Sequence, residues 1–116
     1  MERIVAKIAA LGVPGLVLLM AISATGLSGA AAITTALAAL GPFGMLGGIV
    51  TLGVIGLASQ GLVEFGFDVI FTAVVKELYK NGESKDSILA KVNKYPLSKS
   101  LKRKLKEELE KVSWSS

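Results

Sequence analysis

No side chain that ionises in the physiological range occurs between Lys7 and Glu64, so residues 8–63, about half the chain, form one uncharged run. A helix crosses about 30 Å of hydrocarbon with roughly 20 apolar residues. The run is therefore too long for one crossing and holds two, with a turn or short helix between them. The other home for such a run is the interior of a water-soluble fold. That space is scarce in a chain of 116 residues, because surface-to-volume scaling leaves much of a short chain exposed. A hydrophobic fraction of 52% and a mean hydropathy of +0.60 point the same way. The sequence predicts an all-α membrane protein: a two-crossing hairpin with a short intervening helix, and a C-terminal amphipathic and basic helical tail.

The first crossing is expected at about 8–27. Gly12, Pro14 and Gly15 fall within it, and Pro14 removes a backbone donor, which predicts a kink facing protein rather than lipid. The basic lead, the apolar stretch 8–22 and Ala21-Ile22-Ser23 before Ala24 also have the form of a cleavable secretory signal; an uncleaved first helix is the preferred reading. Residues 30–40 are alanine-rich and helical, but cover only about 16 Å at 1.5 Å per residue. They form a re-entrant or interfacial helix, or half of a longer helix interrupted at Gly41-Pro42. Proline suits the first turn of a helix, so the second crossing is placed at about 42–61, completing a hydrophobic domain over 1–61.

Residues 62–80 read as an amphipathic interfacial helix. Glu64, Asp68, Thr72, Lys76 and Lys80 recur at four-residue steps, opposite Phe67, Ile70, Phe71, Val74 and Val75. Asn81-Gly82 is a stop, Ser84 an N-cap for a helix to Asn93, Pro96 a break, and Ser98 a cap for a last helix to Val112. These give a basic helical tail over 84–112.

Of the 13 basic residues, eleven lie from Lys76 onward beside six acids. Together with Arg3 and Lys7 they flank the crossings, and the positive-inside rule then puts both termini of a multi-pass protein on the cytoplasmic side. Anionic lipid headgroups are the expected partner of Lys102, Arg103, Lys104 and Lys106, with Trp114 as an interfacial anchor; the bland reading is a solvated helix. Leu101, Leu105 and Leu109 are the corresponding candidates for docking a protein partner. Nucleic acid is not expected, since the tail lacks aromatic residues interleaved with its basic ones to stack bases.

The chain has no cysteine and no histidine, which removes disulfides, thiolate nucleophiles, imidazole bases and the familiar zinc sites. No phosphate-binding loop or dinucleotide fingerprint is present. Neither an enzyme nor a cofactor is expected. Glu64 and Asp68, with Gln60, are the candidates for a polar or ion path; the simpler reading of the two acids is a solvated interfacial face, because they lie at the end of the apolar run.

Glycines crowd the second crossing at Gly41, Gly44, Gly47, Gly48, Gly53 and Gly56. Small residues let helix backbones approach closely in lipid, where packing rather than the hydrophobic effect associates helices. Tight packing of the chain's own hairpin accounts for such a pattern, and so does assembly of several copies.

The segment Ala24-Thr25-Gly26-Leu27-Ser28-Gly29, followed by alanine-rich and glycine-rich helices, resembles the small hydrophobic interferon-inducible membrane proteins of the 6-16 type. The resemblance covers about a third of the chain, and the charged tail from Lys76 onward departs from it. It implies a small multi-helix membrane protein linked to membrane stability or cell death. The leading expectation is thus a self-associating membrane protein that alters permeability, as an effector or holin-like pore former. The alternative is a membrane-anchored adaptor with a partner-binding tail. A soluble state that hides the hairpin until triggered is a third form; with so few amphipathic residues to cover the hairpin, it requires a large oligomer or a carrier.

Overall fold

A computed structural model describes residues 1–24, 42–95 and 99–112, with side chains described for all of these except 42–52. The described residues form an all-α fold of six helices: α1 (Glu2–Ala10), α2 (Val13–Ala24), α3 (Pro42–Phe65), α4 (Phe67–Lys80), α5 (Lys85–Val92) and α6 (Lys99–Glu110).

The order of burial follows from the apolar patterns. α2 has no polar side chain from Val13 to Ile22, and a helix that is apolar all round is stable in water only if it is covered all round. Every residue from Leu16 to Ile22 has no exposed surface. The cover comes from the other five helices, each of which touches α2. Ile4, Val5 and Ile8 of α1, Val54, Ile55 and Leu62 of α3, and Ile70, Phe71, Val74, Val75 and Leu78 of α4 belong to the same core. Ile88 and Val92 of α5, and Leu105 and Leu109 of α6, complete it. Full burial of a Leu, Ile, Val or Met side chain is worth roughly 1.5–3 kcal/mol, so the stretch from Leu16 to Ile22 contributes on the order of 10 kcal/mol. This is comparable with the whole stability of an ordinary domain.

The joints are made by glycine. α1 ends at Leu11, and Gly12 adopts φ 74°, a conformation that costs glycine little. Pro14 then sits in the first turn of α2, where its missing donor is not needed. The result is an elbow of 116° between α1 and α2. Gly15 is what lets the elbow close: a Cβ there would stand 2.1 Å from the carbonyl oxygen of Ile8. The kink expected near Pro14 is thus a turn of 116° between two separate helices, not a bend within one crossing over 8–27.

The second long helix begins at Pro42 but runs past the expected end near Gly61 to Phe65. It stops at Gly66, with φ 90°, which separates α3 from α4. The interfacial helix expected over 62–80 is therefore divided, because the left-handed glycine ends the hydrogen-bond ladder inside what looks like one four-residue repeat. α4 closes on Asn81-Gly82: the Gly82 amide donates to the Tyr79 carbonyl and the Glu83 amide to the Leu78 carbonyl, with Gly82 at φ 101°. This is the Schellman pairing of a glycine-ended helix. Ser84 caps α5 as its position predicts, in a reciprocal box in which Ser84 and Ser87 each accept the other's amide, at 3.0 and 2.8 Å. The expected short helix over 30–40, the cap Ser98 and the break Pro96 lie outside the described residues.

Over the residues whose side chains are described, which for α3 means Gly53–Phe65, no single helix is long and apolar enough to cross a membrane. The α1–α2 pair meets the requirement of length and composition together, across its elbow.

Candidate functional site

The feature that sets this fold apart is a sheathed apolar helix with glycine joints at its edge. α2 is the inner element; α1, α4, α5 and α6 turn apolar faces inward and charged faces outward, while α3 carries a single charge, Glu64. Among the described residues no buried side-chain nitrogen or oxygen is left without a partner, so the sheath is closed without orphaned polar groups. The expectation that too few amphipathic residues exist to cover the apolar hairpin is corrected for α2: α1, α4, α5 and α6, together with α3, bury it from Leu16 to Ile22. The signal was in the sequence, since the apolar faces of 67–80 and 99–112 are as well suited to a protein helix as to lipid.

The predicted glycines divide into two groups. Gly41 lies outside the described residues, and so do the surroundings of Gly44, Gly47 and Gly48. Gly53 and Gly56 are exposed, and a Cβ added at either would meet nothing within 4 Å. Packing among the described residues therefore does not account for these two. The close approaches are made instead by Gly15 and by Gly61, where a Cβ would stand 3.1 Å from Ile4 and 3.2 Å from Ile70. Their nearest sequence signal was the clustering of Gly15 with Gly12 and Pro14.

Gln60, Glu64 and Asp68 are all exposed, on the outside of the fold. Glu64 and Asp68 do not share a helix face, because Gly66 separates α3 from α4 between them. Among the described residues no group of three carboxylates or other ligating side chains is placed to hold a metal ion.

In the tail, Leu105 and Leu109 are fully buried against the core and Leu101 packs partly on it. The partner-docking face assigned to these leucines is thus occupied within the chain: their spacing marks an apolar stripe without saying what covers it. Lys102, Arg103 and Lys104 are consecutive on a helix and so diverge by about 100° each rather than forming one patch. Lys102 is half-buried, with its Nζ donating to the Asn93 carbonyl at 3.1 Å, while Arg103, Lys104 and Lys106 are exposed.

A cleft of about 330 Å³ opens at the elbow. Its aliphatic side is Leu11, Val13 and Pro14; Glu83, Lys91, Lys94 and Tyr95 form the other. Glu83 accepts from Lys91 Nζ at 2.6 Å and from the Ser87 hydroxyl at 2.6 Å. The bond from Lys91 first, and then that from Ser87, hold the Glu83 carboxyl below its ordinary range. Burial pushes the Tyr95 phenol up. Glu83 therefore ties α5 to the turn beneath the elbow as a charged carboxylate, and neither the sequence spacing nor the charge count singled it out.

No family model matches the chain, and no match is found among curated proteins or solved structures.

Proposed function

We propose that the protein acts on membranes by storing an apolar helix under its own amphipathic helices and releasing it into a bilayer, where copies associate and raise permeability. The observation that carries this reading is α2, which is apolar all round from Val13 to Ile22, fully buried from Leu16 to Ile22, and joined to α1 through Gly12.

The energetics support a stored state. Uncovering α2 in water costs on the order of 10 kcal/mol. Lipid tails are as apolar as the side chains that cover α2, so insertion recovers most of that cost. If the elbow straightens, α1 and α2 become one helix from Glu2 to Ala24, about 34 Å long at 1.5 Å per residue. That is close to the thickness of the hydrocarbon. Its charges, Glu2, Arg3 and Lys7, all fall in the first two turns, where they reach the interface. α3, uncharged from Pro42 to Val63, supplies the second crossing. The positive-inside rule leaves both termini cytoplasmic. Gly53 and Gly56 then present a small-residue face to another copy.

The test uses single-cysteine variants of a chain that has no cysteine of its own. Ala24→Cys is exposed at the end of α2 and reacts with a bulky, polymer-linked maleimide in solution. After addition to dye-loaded liposomes, Ala24→Cys should become inaccessible from outside and reactive to the same reagent trapped in the lumen, with release of the dye. Gly53→Leu/Gly56→Leu should keep the lumenal labelling and lose the release. A thiol that stays reactive from outside, with no dye released, would rule the proposal out.

A further inference from the structure

The trigger for such a release has to act at the elbow, and the structure offers a charged surface there. Lys94 lies on the rim of the elbow cleft and, among the described residues, has no ion-pair partner. Lys91 is on the same rim, and its only recorded acid is Glu83. Next to Lys94 in the chain, the Asn93 carbonyl receives Lys102 from α6. Lys106 follows Lys102 by four residues, on the same flank of α6. The Lys102–Asn93 contact thus ties the flank of α6 that carries Lys102 and Lys106 to the residue next to Lys94, and Lys94 shares the cleft with Leu11 and Pro14.

We propose that this face, Lys91 and Lys94 on the elbow cleft with Lys102 and Lys106 on the flank of α6 joined to it at Asn93, is where the protein meets an anionic lipid bilayer. Headgroup phosphates meet the lysines, and the half-buried aliphatic residues of the cleft wall, Leu11 and Pro14, are turned to the interface. The combination selects lipid over nucleic acid: the wall is aliphatic, and the one aromatic residue of the cleft, Tyr95, is 8% exposed and so offers no platform for stacking bases. Docking here places the bilayer against the Gly12 joint. Anionic headgroups also compete with Glu83 for Lys91, loosening the contact between α5 and the turn beneath the elbow. This inference rests on the stored-helix reading for its consequence, but docking itself is measurable without release.

The experiment is flotation of the full chain with vesicles of phosphatidylcholine alone and with phosphatidylglycerol admixed. Wild type should float with the anionic vesicles and not with the neutral ones, and less so as salt rises. Each lysine near an anionic surface is worth about 1 kcal/mol, so Lys94→Gln/Lys106→Gln should weaken partition about 30-fold. Both residues are exposed, and among the described residues neither side chain makes a hydrogen bond or ion pair, so folding is kept. Arg3→Gln/Lys80→Gln removes the same charge at the other end of α1 and should change partition by less than about threefold, since the loss of about 1 kcal/mol per cation applies only to cations at the docked surface.

Equal weakening by the two double variants, equal binding to neutral vesicles, or tighter binding to a DNA duplex than to anionic vesicles would overturn the proposal. Patch-dependent flotation with Ala24→Cys still reactive from outside supports docking and refutes only the release of α2. Lumenal labelling of Ala24→Cys that survives Lys94→Gln/Lys106→Gln refutes docking and leaves release standing.

Discussion

Gly15→Ala is the sharpest test of the stored helix, because one methyl group separates two opposing effects. In an exposed helix, replacing glycine by alanine gains about 0.5–1 kcal/mol from backbone entropy. At Gly15 the new Cβ would lie 2.1 Å from the Ile8 carbonyl oxygen and 3.0 Å from its carbon. These are backbone atoms, so no rotamer change relieves the overlap, and α2 must move away from α1. Overpacking of this kind costs about 1–3 kcal/mol, and a backbone clash belongs at the upper end. The net loss should be about 2 kcal/mol, or roughly 8–12 °C in Tm for a chain of this size. Gly53→Ala and Gly56→Ala are the controls, since a Cβ at either meets nothing within 4 Å. Each should stabilise by up to about 1 kcal/mol. Thermal and urea denaturation followed by circular dichroism measures all three. A neutral or stabilising Gly15→Ala would show that the elbow is not closed as described and would remove the basis for a stored α2. Destabilisation by Gly53→Ala or Gly56→Ala would mean that this face is packed against something already.

Two further substitutions test the α5 side of the elbow. Ser84→Ala removes an acceptor for the Ser87 amide and should cost about 1 kcal/mol, read as a lowered denaturation midpoint, with Ser84→Gly costing less. Glu83→Gln should cost about 1 kcal/mol at neutral pH, since Lys91 is 53% exposed and solvent screens the pair. Because the folded pKa of Glu83 is depressed, its contribution is present above the unfolded carboxylate pKa and is lost as pH falls through the folded one. Denaturation of wild type and variant should therefore differ above about pH 5 and converge in more acidic solution; a gap that persists there would contradict the charged pairing.

The helix boundaries legible in the sequence were those with local chemistry. Pro42, Ser84 and Asn81-Gly82 each act through a donor, an acceptor or a φ value that neighbouring residues do not alter, and the structure uses them. Gly66 was hidden because Glu64, Asp68 and Thr72 keep a four-residue rhythm through it, and the side-chain period carries no information on a backbone turn. The larger omission was the cover over α2. Periodicity shows which face of 67–80 or 99–110 is apolar, but an apolar face packs equally well on hydrocarbon and on a helix such as α2. The same ambiguity assigned Leu105 and Leu109 to a partner when they belong to the core. Glu83 escaped notice because its partners, Ser87 and Lys91, lie one and two turns away and become significant only once the elbow is folded over them.

The arrangement of α2 also sets an order of events during synthesis. α2 is complete by Ala24, whereas its last covering residues, Leu105 and Leu109, come near the end of α6. At about 5–20 residues per second, the chain from Thr25 to Glu110 takes on the order of 4–17 s to make. For that interval the nascent chain carries a finished apolar helix without its complete sheath. Capture by a bilayer or a chaperone then runs against arrival of the C-terminal helices, so translation rate itself becomes a variable in which of the two states the protein first occupies.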